Sequence, residues 1–152
     1  MQEILPGVKT LRREIHAHPE QGYREMGTTS RIKLFLEEYG VSFYGFENMT
    51  GGYVWINCRK ERTVGFRADI DALPIEEKNE IEFKSVNTGV MHACGHDAHT
   101  AMLLGAARVL SENKERIPGT VRLLFQTDEE GSRGAERTIK EGGIQGADAV
   151  FG

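Results

Sequence analysis

Segments typical of strands and of helices alternate from residue 63 to the end of the chain, and this alternation constrains the fold more than any other feature. The strand patterns cover 63–67, 120–126 and 147–151, and the helical patterns between them cover 97–113 and 132–141. Strands joined through helices form right-handed βαβ units with parallel strands. We therefore predict an α/β fold with a mixed, partly parallel sheet flanked by helices.

The first third of the chain predicts two helices and a two-stranded hairpin. A helix over 3–18 should end before Pro19, because the residue that precedes a proline disfavours helix. A second helix, capped by Thr28 or Thr29, should stop at Gly40, since glycine favours a helix C-terminus. The ranges predicted for the hairpin strands are 41–46 and 53–58.

The composition argues against several classes of protein before any motif is considered. Apolar residues make up 39% and charged residues 28% of the 152 residues, which is ordinary for a soluble globular protein. A net charge of −4 without a basic stripe argues against nucleic-acid binding, and no apolar run is long enough to cross a membrane. With only Cys58 and Cys94, we expect no disulfide framework, a reduced cytoplasmic protein, and Cys58 in the core.

The segment MHACGHDAHT, residues 91–100, contains the residue types of a metal site. Cys94 and His96 lie two positions apart across Gly95, which permits a sharp turn and removes a side chain that would crowd an ion. A thiolate and a neutral imidazole suit zinc, and they suit cobalt, nickel or manganese with lower preference. The segment is therefore a candidate for two metal ligands.

The residues around this pair allow more than one arrangement. The helix that follows is expected to have Asp97 as its N-cap. His92 and His99 either orient the ligands through hydrogen bonds or occupy ordinary surface or cap positions. His16 and His18, near the end of the first helix, are expected to be structural.

Residues 74–90 show no clear periodicity, and pairs of acidic residues follow the strand patterns on either side of this segment. A long loop in a compact domain is often functional. If the two strands are parallel neighbours, both acidic pairs lie at the sheet edge where α/β proteins bind ligands, beside the cysteine and histidine. Of two adjacent glutamates, one can bind a metal while the other serves as a general base. The pairs are Asp69 with Asp71 and Glu129 with Glu130.

Each of these features also has an ordinary structural interpretation. A Cys-x-His loop is often only polar, two glutamates often begin a solvated helix, and aspartates at a strand end are often turn residues. Catalysis by a Cys94 thiolate with a histidine base is a further alternative, although the Cys-Gly-His spacing is that of ligands. The metal-site interpretation depends on the features occurring together and in this order.

Four segments, taken together and in order, make the chain similar to a known family. It resembles the N-acyl-amino-acid amidohydrolases of the hippurate hydrolase and auxin-conjugate hydrolase type, within the aminoacylase and carboxypeptidase superfamily of metallopeptidases. The segments are LRREIHAHPEQGYRE at 11–25, GFRADIDALPIEE at 65–77, GVMHACGHDAHTAMLLGAARVL at 89–110 and GTVRLLFQTDEEGSRGAERTIKEGG at 119–143.

The resemblance implies a role for each of five residues. Cys94, His96 and Glu130 would bind a divalent metal, zinc or manganese, with cobalt or nickel as alternatives. The complete site of the family holds two ions, which the thiolate could bridge. Glu129 would be the catalytic acid–base, and Asp71 would orient the site.

The implied reaction is metal-dependent hydrolysis of the amide bond of N-acyl amino acids or related conjugates. Metal-activated water would attack the amide carbon while a glutamate transfers the proton. The expected partner is therefore a small-molecule substrate, and no nucleic acid or membrane is expected.

The chain departs from the family pattern at several points. Thr127-Asp128 replaces Pro-Ala, a local change that should not remove the site. Asp69 stands where other branches of the superfamily have a ligand histidine, as is usual in this branch, and is not assigned as a ligand. Residues 1–152 are expected to form only the N-terminal portion of the catalytic domain, without the lid domain and further ligand histidines. The alternative function is thus a catalytically incompetent fragment with at most a partial metal site. Its apolar surface would be exposed or covered by a second copy, so a homo-oligomer is also considered.

Overall fold

The computed structural model describes residues 4–57, 62–131 and 133–152. Its α-helices are α1 (Ile4–Ala17), α2 (Met26–Glu38), α3 (His96–Glu112) and α4 (Gly134–Lys140), and a 3₁₀ turn covers Lys114–Arg116. Its strands are β1 (Phe43–Gly45), β2 (Gly52–Ile56), β3 (Thr63–Asp69), β4 (Thr120–Gln126) and β5 (Ala149–Phe151).

The strands form one mixed sheet in the order β1-β2-β4-β3-β5. β3 pairs in parallel with both β4 and β5, whereas β2 pairs antiparallel with β1 and β4. α3 lies between β3 and β4 in the chain, and α4 lies between β4 and β5, as parallel pairing requires. The predicted α/β fold with a partly parallel sheet flanked by helices is confirmed.

The core lies between the sheet and the first three helices. All seven residues of β4 are buried, which is typical of a central strand covered on both faces. α3 contacts α1, α2 and β3, so it is the helix around which the packing is organised. Fully buried apolar side chains from the helices and strands include Ile15, Ile32, Leu104, Val54, Leu123 and Phe125.

The long loop between β3 and α3 is held by a buried charged network. His16 hydrogen-bonds through Nδ1 to Asp97 Oδ2 at 2.8 Å and through Nε2 to Glu77 Oε1 at 3.1 Å. Arg12 Nε lies 2.6 Å from the same Asp97 oxygen, and the three other side chains are almost completely buried. The network ties α1, the loop and the first turn of α3 together, which confirms a structural role for His16.

Two predicted helix caps were wrong, for physical reasons that the structure shows. α2 begins at Met26, ahead of Thr28 and Thr29, because Glu20 accepts the backbone N–H groups of Gly27 and Thr28 at 3.0 and 2.7 Å. A capping carboxylate from outside the helix therefore replaces the predicted threonine.

Asp97 does not cap α3 either. Gly95 precedes the helix with a φ of 91°, in the left-handed region that favours glycine. Asp97 lies inside the first turn, and its carboxylate is committed to the buried network. The sharp turn predicted at Gly95 is confirmed, and α1 ends at Ala17, before Pro19, as expected. Cys58, predicted for the core, lies outside the described residues.

Apolar side chains are exposed along the β5 edge of the sheet. They face a groove of about 810 Å³ between this edge and α3. In the part of the chain that the structure describes, no helix is long and apolar enough to span a bilayer. The exposed side chains that line the groove include Phe66, Met102, Val109 and Phe151.

Candidate metal centre

The candidate site lies at the edge of the sheet where β3 and β4 end. The parallel register pairs Asp69 with Gln126, so the residues that follow the two strands emerge side by side. α3 begins at the same edge and brings the Cys-Gly-His segment with it. The expectation that the strand ends and the helix start bring the six groups together is confirmed. Those groups are Asp69, Asp71, Cys94, His96, Glu129 and Glu130.

Cys94, His96 and Glu130 form a cluster that could hold a metal ion. One potential ligand atom from each of the three lies within 4.8 Å of the others. The His96 side chain is 2% exposed, whereas Cys94 is exposed and the Glu130 side chain is partly exposed. The cluster is therefore anchored in the protein by its histidine and open to solvent on its other side, which is the arrangement a catalytic metal requires.

The orientation of His96 is set by Asp71. Its Nδ1 donates to the backbone carbonyl of Asp71 at 2.9 Å and lies 3.2 Å from the carboxylate Oδ1. This fixes the proton on Nδ1 and leaves Nε2 as the free ligand atom. Burial alone would lower the pKa of His96, but the hydrogen bond to Asp71 and the charges of Asp69 and Asp71 outweigh it, so the pKa is raised.

Three carboxylates converge on the free nitrogen of His96. Its Nε2 lies 3.4 Å from Asp69 Oδ2, 3.7 Å from Glu129 Oε2 and 3.8 Å from Glu130 Oε1. Like charges this close repel one another unless a cation lies between them. The donor set of a thiol, an imidazole nitrogen and carboxylates therefore fits a divalent metal ion.

Asp71 also holds the segment that carries the glutamate pair. Its Oδ2 accepts the backbone N–H of Glu130 at 2.9 Å. Burial opposes the charged form, but the hydrogen bond from His96 and the backbone N–H groups of Glu130 and Glu129 more than compensate, so the pKa of Asp71 is lowered. Asp71 thus remains ionised and connects the histidine to the glutamates.

The thiol of Cys94 is protonated more readily than an ordinary cysteine when no cation is bound. A hydrogen bond to Glu130, followed by burial and the charges of Glu130, Glu129 and Asp69, raises the pKa of the thiol. A free catalytic thiolate needs the opposite environment, a lowered pKa next to a cationic group. The surroundings of Cys94 therefore do not favour a free thiolate nucleophile.

Asp69 is paired with protein groups instead of being free for a metal. Its Oδ2 accepts from Arg67 Nη1 at 2.8 Å, and its Oδ1 lies 2.7 Å from His99 Nδ1. Asp69, His96 and His99 also meet the geometric condition for a metal cluster. The arginine partner makes Asp69 a poorer ligand than Glu130.

His92 and His99 differ in what they contact. His99 contributes to the site through its hydrogen bond to Asp69 and stacks on His96 with ring centroids 5.7 Å apart. His92 is 4% exposed, and neither ring nitrogen has a hydrogen-bond partner among the described residues. Burial lowers its pKa to about 4, so His92 is a neutral core side chain and does not orient the ligands.

Two buried carboxylates beside the site were missed by the sequence patterns. Asp97 was taken for a cap, and Glu25 was not considered, although Glu25 is fully buried and bonds to the backbone just before the glutamate pair. No local signal distinguishes Glu25 from an ordinary polar residue before a helix. The hydroxyls that surround it come from segments 25 and 102 positions away.

Comparison with known proteins places this site in a family. The model of the peptidase family M20/M25/M40 matches residues 65–152, which contain all six groups at the sheet edge. The chain belongs to this family. The M20 match confirms the predicted relationship to metallopeptidases and amidohydrolases.

The similar proteins in this family are hydrolases. The chain is 46% identical over 142 residues to the IAA-amino acid hydrolase ILR1-like 5 of Arabidopsis thaliana, covering 93% of this chain and 33% of that protein. It is 42% identical over 154 residues to the N-acyl-L-amino acid amidohydrolase of Geobacillus stearothermophilus, covering 100% of this chain and 42% of that protein.

A solved structure shows the same fold. The YXEP protein of Bacillus subtilis, described as a dinuclear metal-binding peptidase of the M20 family, superposes with a TM-score of 0.95 at 38% identity. The match covers 100% of this chain and 43% of that one. The chain thus spans about a third to two fifths of the length of the proteins it matches.

Proposed function

We propose that this chain carries the metal ligands and the general base of an amidohydrolase that cleaves N-acyl amino acids or related conjugates. The observation that carries the proposal is the cluster of Cys94, His96 and Glu130 with a second glutamate, Glu129, beside it. The alternative is that the chain is a catalytically incompetent fragment, which predicts no turnover by residues 1–152 alone.

Cys94, His96 and Glu130 are the residues that would hold the metal. A divalent ion held there would acidify a water molecule and would supply positive charge for the negative charge that develops on the amide oxygen. One thiolate and one carboxylate balance the charge of a single divalent ion. Zinc suits the sulfur and nitrogen donors best, and manganese suits the carboxylate-rich surroundings.

A second ion is proposed on the relationship to a dinuclear protein. Two divalent ions carry four positive charges, and the three ligands proposed here carry two negative ones. The described residues therefore account for one ion more readily than for two. Further ligands for a second ion would come from outside residues 1–152, which remain a proposed N-terminal portion of the catalytic domain.

Glu129 is the residue we assign to proton transfer. Its side chain is 39% exposed, and its Oε2 lies 3.7 Å from His96 Nε2, so a carboxylate oxygen faces the position next to the ligands. In the proposed reaction the carboxylate takes a proton from the attacking water as its oxygen bonds to the amide carbon. The same proton then passes to the amide nitrogen as the carbon–nitrogen bond breaks, releasing a carboxylic acid and an amine.

The substrate class follows from the related hydrolases. One is named for amino acid conjugates of IAA and another for N-acyl-L-amino acids, so both names describe an amide between an acyl group and an amino acid. A small molecule with this bond is our proposed substrate. The open side of the cluster gives such a molecule access to the ligand atoms.

The experiment measures hydrolysis of an N-acyl amino acid by this chain and by the chain extended to the length of its relatives, with and without chelator. We expect chelator-sensitive turnover by the extended protein, abolished by Glu129→Gln with metal content unchanged, and retained in the exposed control Glu136→Gln. Turnover by the short chain would refute the fragment alternative. Activity that survives chelation but not alkylation of Cys94 would overturn the proposal in favour of thiol catalysis.

A further inference from the structure

The segment that carries Glu129 and Glu130 is irregular and is held by buried carboxylates from two other parts of the chain. The segment follows β4 directly and has no regular hydrogen-bond ladder of its own. An irregular segment is normally more mobile than its flanking elements. The contacts that hold it therefore decide how accurately the two glutamates are placed.

Glu25 holds the segment from one side. Its Oε1 accepts the hydroxyl of Thr127 at 2.6 Å and the backbone N–H of Asp128 at 3.0 Å. Its Oε2 accepts a hydrogen bond from the hydroxyl of Thr50, in the turn between β1 and β2. Since Glu25 and Thr127 are both fully buried, water does not compete for these bonds.

Thr127 extends this contact to the residues before α2. Its hydroxyl oxygen accepts the backbone N–H of Tyr23 at 3.1 Å and lies 2.9 Å from the hydroxyl oxygen of Thr50. One hydroxyl therefore joins the end of β4, the start of α2 and the β1–β2 turn. We name Glu25, Thr50 and Thr127 the carboxylate–threonine lock.

Asp71 holds the segment from the other side, through the backbone N–H of Glu130. The backbone N–H of Glu129 interacts with the same carboxylate. Successive amides from Asp128 to Glu130 are thus shared between two carboxylates, Glu25 and Asp71. Because Asp71 also orients His96, a displacement of the segment at the lock would change the position of the glutamates relative to the histidine.

Close packing leaves the segment little room to adjust. Asp128 has a φ of 50°, in the left-handed region. A Cβ on Gly134, at the start of α4, would lie 2.1 Å from the carbonyl oxygen of Thr127 and 2.3 Å from that of Asp128. The backbone of α4 therefore packs in direct contact with the segment. This contact helps to hold Asp128 in its left-handed conformation.

We propose that Glu25 and Thr127 are positioning residues for the glutamate pair: the carboxylate–threonine lock fixes the segment so that Glu130 reaches the metal ligands and Glu129 remains beside them. This inference rests on the proposed function of the two glutamates. The lock then positions Glu129 and Glu130 and does more than stabilise the fold. Its removal should therefore increase the mobility of the segment while the sheet remains intact.

The test compares four variants of the 152-residue chain. Thr127→Val removes the hydroxyl at nearly constant volume, and Thr127→Ser restores it. Glu25→Ala removes the carboxylate. Thr138→Val is the matched control, because Thr138 is buried and its hydroxyl has no hydrogen-bond partner among the described residues.

Two measurements are made on each variant. Hydrogen exchange of individual amides in the metal-free chain reports the segment itself, and equilibrium dialysis against zinc reports the ligand cluster. We expect Thr127→Val to speed exchange at Asp128–Glu130 about tenfold and to weaken zinc binding roughly tenfold, with the β4 amides unchanged. Thr127→Ser should restore both values, and Thr138→Val should alter neither.

Unchanged exchange at Asp128–Glu130 would overturn the inference, because the lock would then not hold the segment. An equal rise in β4 would also overturn it, because the lock would then stabilise the whole fold and not this segment in particular. If the parent chain binds no zinc, the proposed function fails, and hydrogen exchange still decides the inference. If Glu25→Ala does not fold, Thr127→Val with its serine rescue supplies the result. Normal zinc affinity in Thr127→Val, despite fast exchange, would also refute a positioning role.

Discussion

Replacing Asp71 by asparagine should weaken metal binding without unfolding the chain. The carboxylate accepts from His96 Nδ1 at 3.2 Å through one oxygen and from the backbone N–H of Glu130 at 2.9 Å through the other. Asparagine has one acceptor oxygen and one amide nitrogen, so it can satisfy only one of these donors. Its nitrogen would face either the histidine or the backbone N–H.

The less costly choice keeps the oxygen on the backbone and turns the amide nitrogen toward His96. An amide donor opposite Nδ1 favours the tautomer with the proton on Nε2, which removes the lone pair that a metal needs. The backbone carbonyl of Asp71, 2.9 Å from Nδ1, favours the original tautomer and limits the effect. Loss of a residue that orients a ligand typically lowers metal affinity about 10- to 100-fold, or about 1.4–2.8 kcal/mol.

The assay is competition for zinc with a chromophoric chelator, on the parent chain and on two variants. Asp148→Asn is the matched control, because its carboxylate also accepts a backbone N–H, from Thr63 at 2.7 Å, far from the site. We expect the affinity of Asp71→Asn to fall within the stated range and that of the control to stay within twofold. Equal affinity in Asp71→Asn and the parent chain would refute the assigned role.

Three further predictions concern the environment of single groups. Glu130→Gln should speed alkylation of Cys94 in the metal-free chain at neutral pH, as measured by mass spectrometry. The glutamate raises the pKa of the thiol, so its loss should lower that pKa and increase the thiolate fraction. An unchanged alkylation rate would contradict this. Burial raises the pKa of Glu25 above its ordinary 4.5, so the folded chain binds this proton more tightly than the unfolded chain does. The parent should therefore lose stability relative to Glu25→Gln as the pH rises from 4.5 through the folded pKa. A difference in unfolding free energy that stays constant with pH in urea titrations would refute this. His16→Ala should lower the free energy of unfolding by about 1–3 kcal/mol, because it removes one hydrogen-bond partner from each of two buried carboxylates. The exposed His18→Ala should cost little, and equal losses would count against the network.

The sequence predicted the elements whose periodicity reflects burial. β3, β4 and α3 were predicted within two residues of their observed bounds, because their apolar spacing follows directly from the faces they bury. The site could be predicted for the same reason, since parallel strands end at one edge. The parallel order of β3 and β4, with α3 between them in the chain, was enough to predict that Cys94 and His96 lie close to the two glutamates.

What the sequence missed depends on contacts between distant segments. The cap of α2 comes from Glu20, outside the helix, and Asp97 is drawn away from capping by Arg12 and His16, over 80 positions earlier. Glu25 has meaning only beside Thr127, from the other end of the chain. Local sequence patterns do not contain pairings between residues that are far apart in the chain. The helix caps were therefore predicted wrongly, and the buried polar contacts were not predicted.

The central claim is that Cys94, His96 and Glu130 together bind a divalent metal. The most direct measurement is titration of the purified chain with cobalt, followed by its optical spectrum, because a thiolate ligand gives a charge-transfer band absent from other donors. We predict about one cobalt ion per chain with this band, lost in Cys94→Ser and weakened at least tenfold in His96→Ala and Glu130→Ala. Binding of cobalt without the band, or binding unaffected by the three substitutions, would contradict the account.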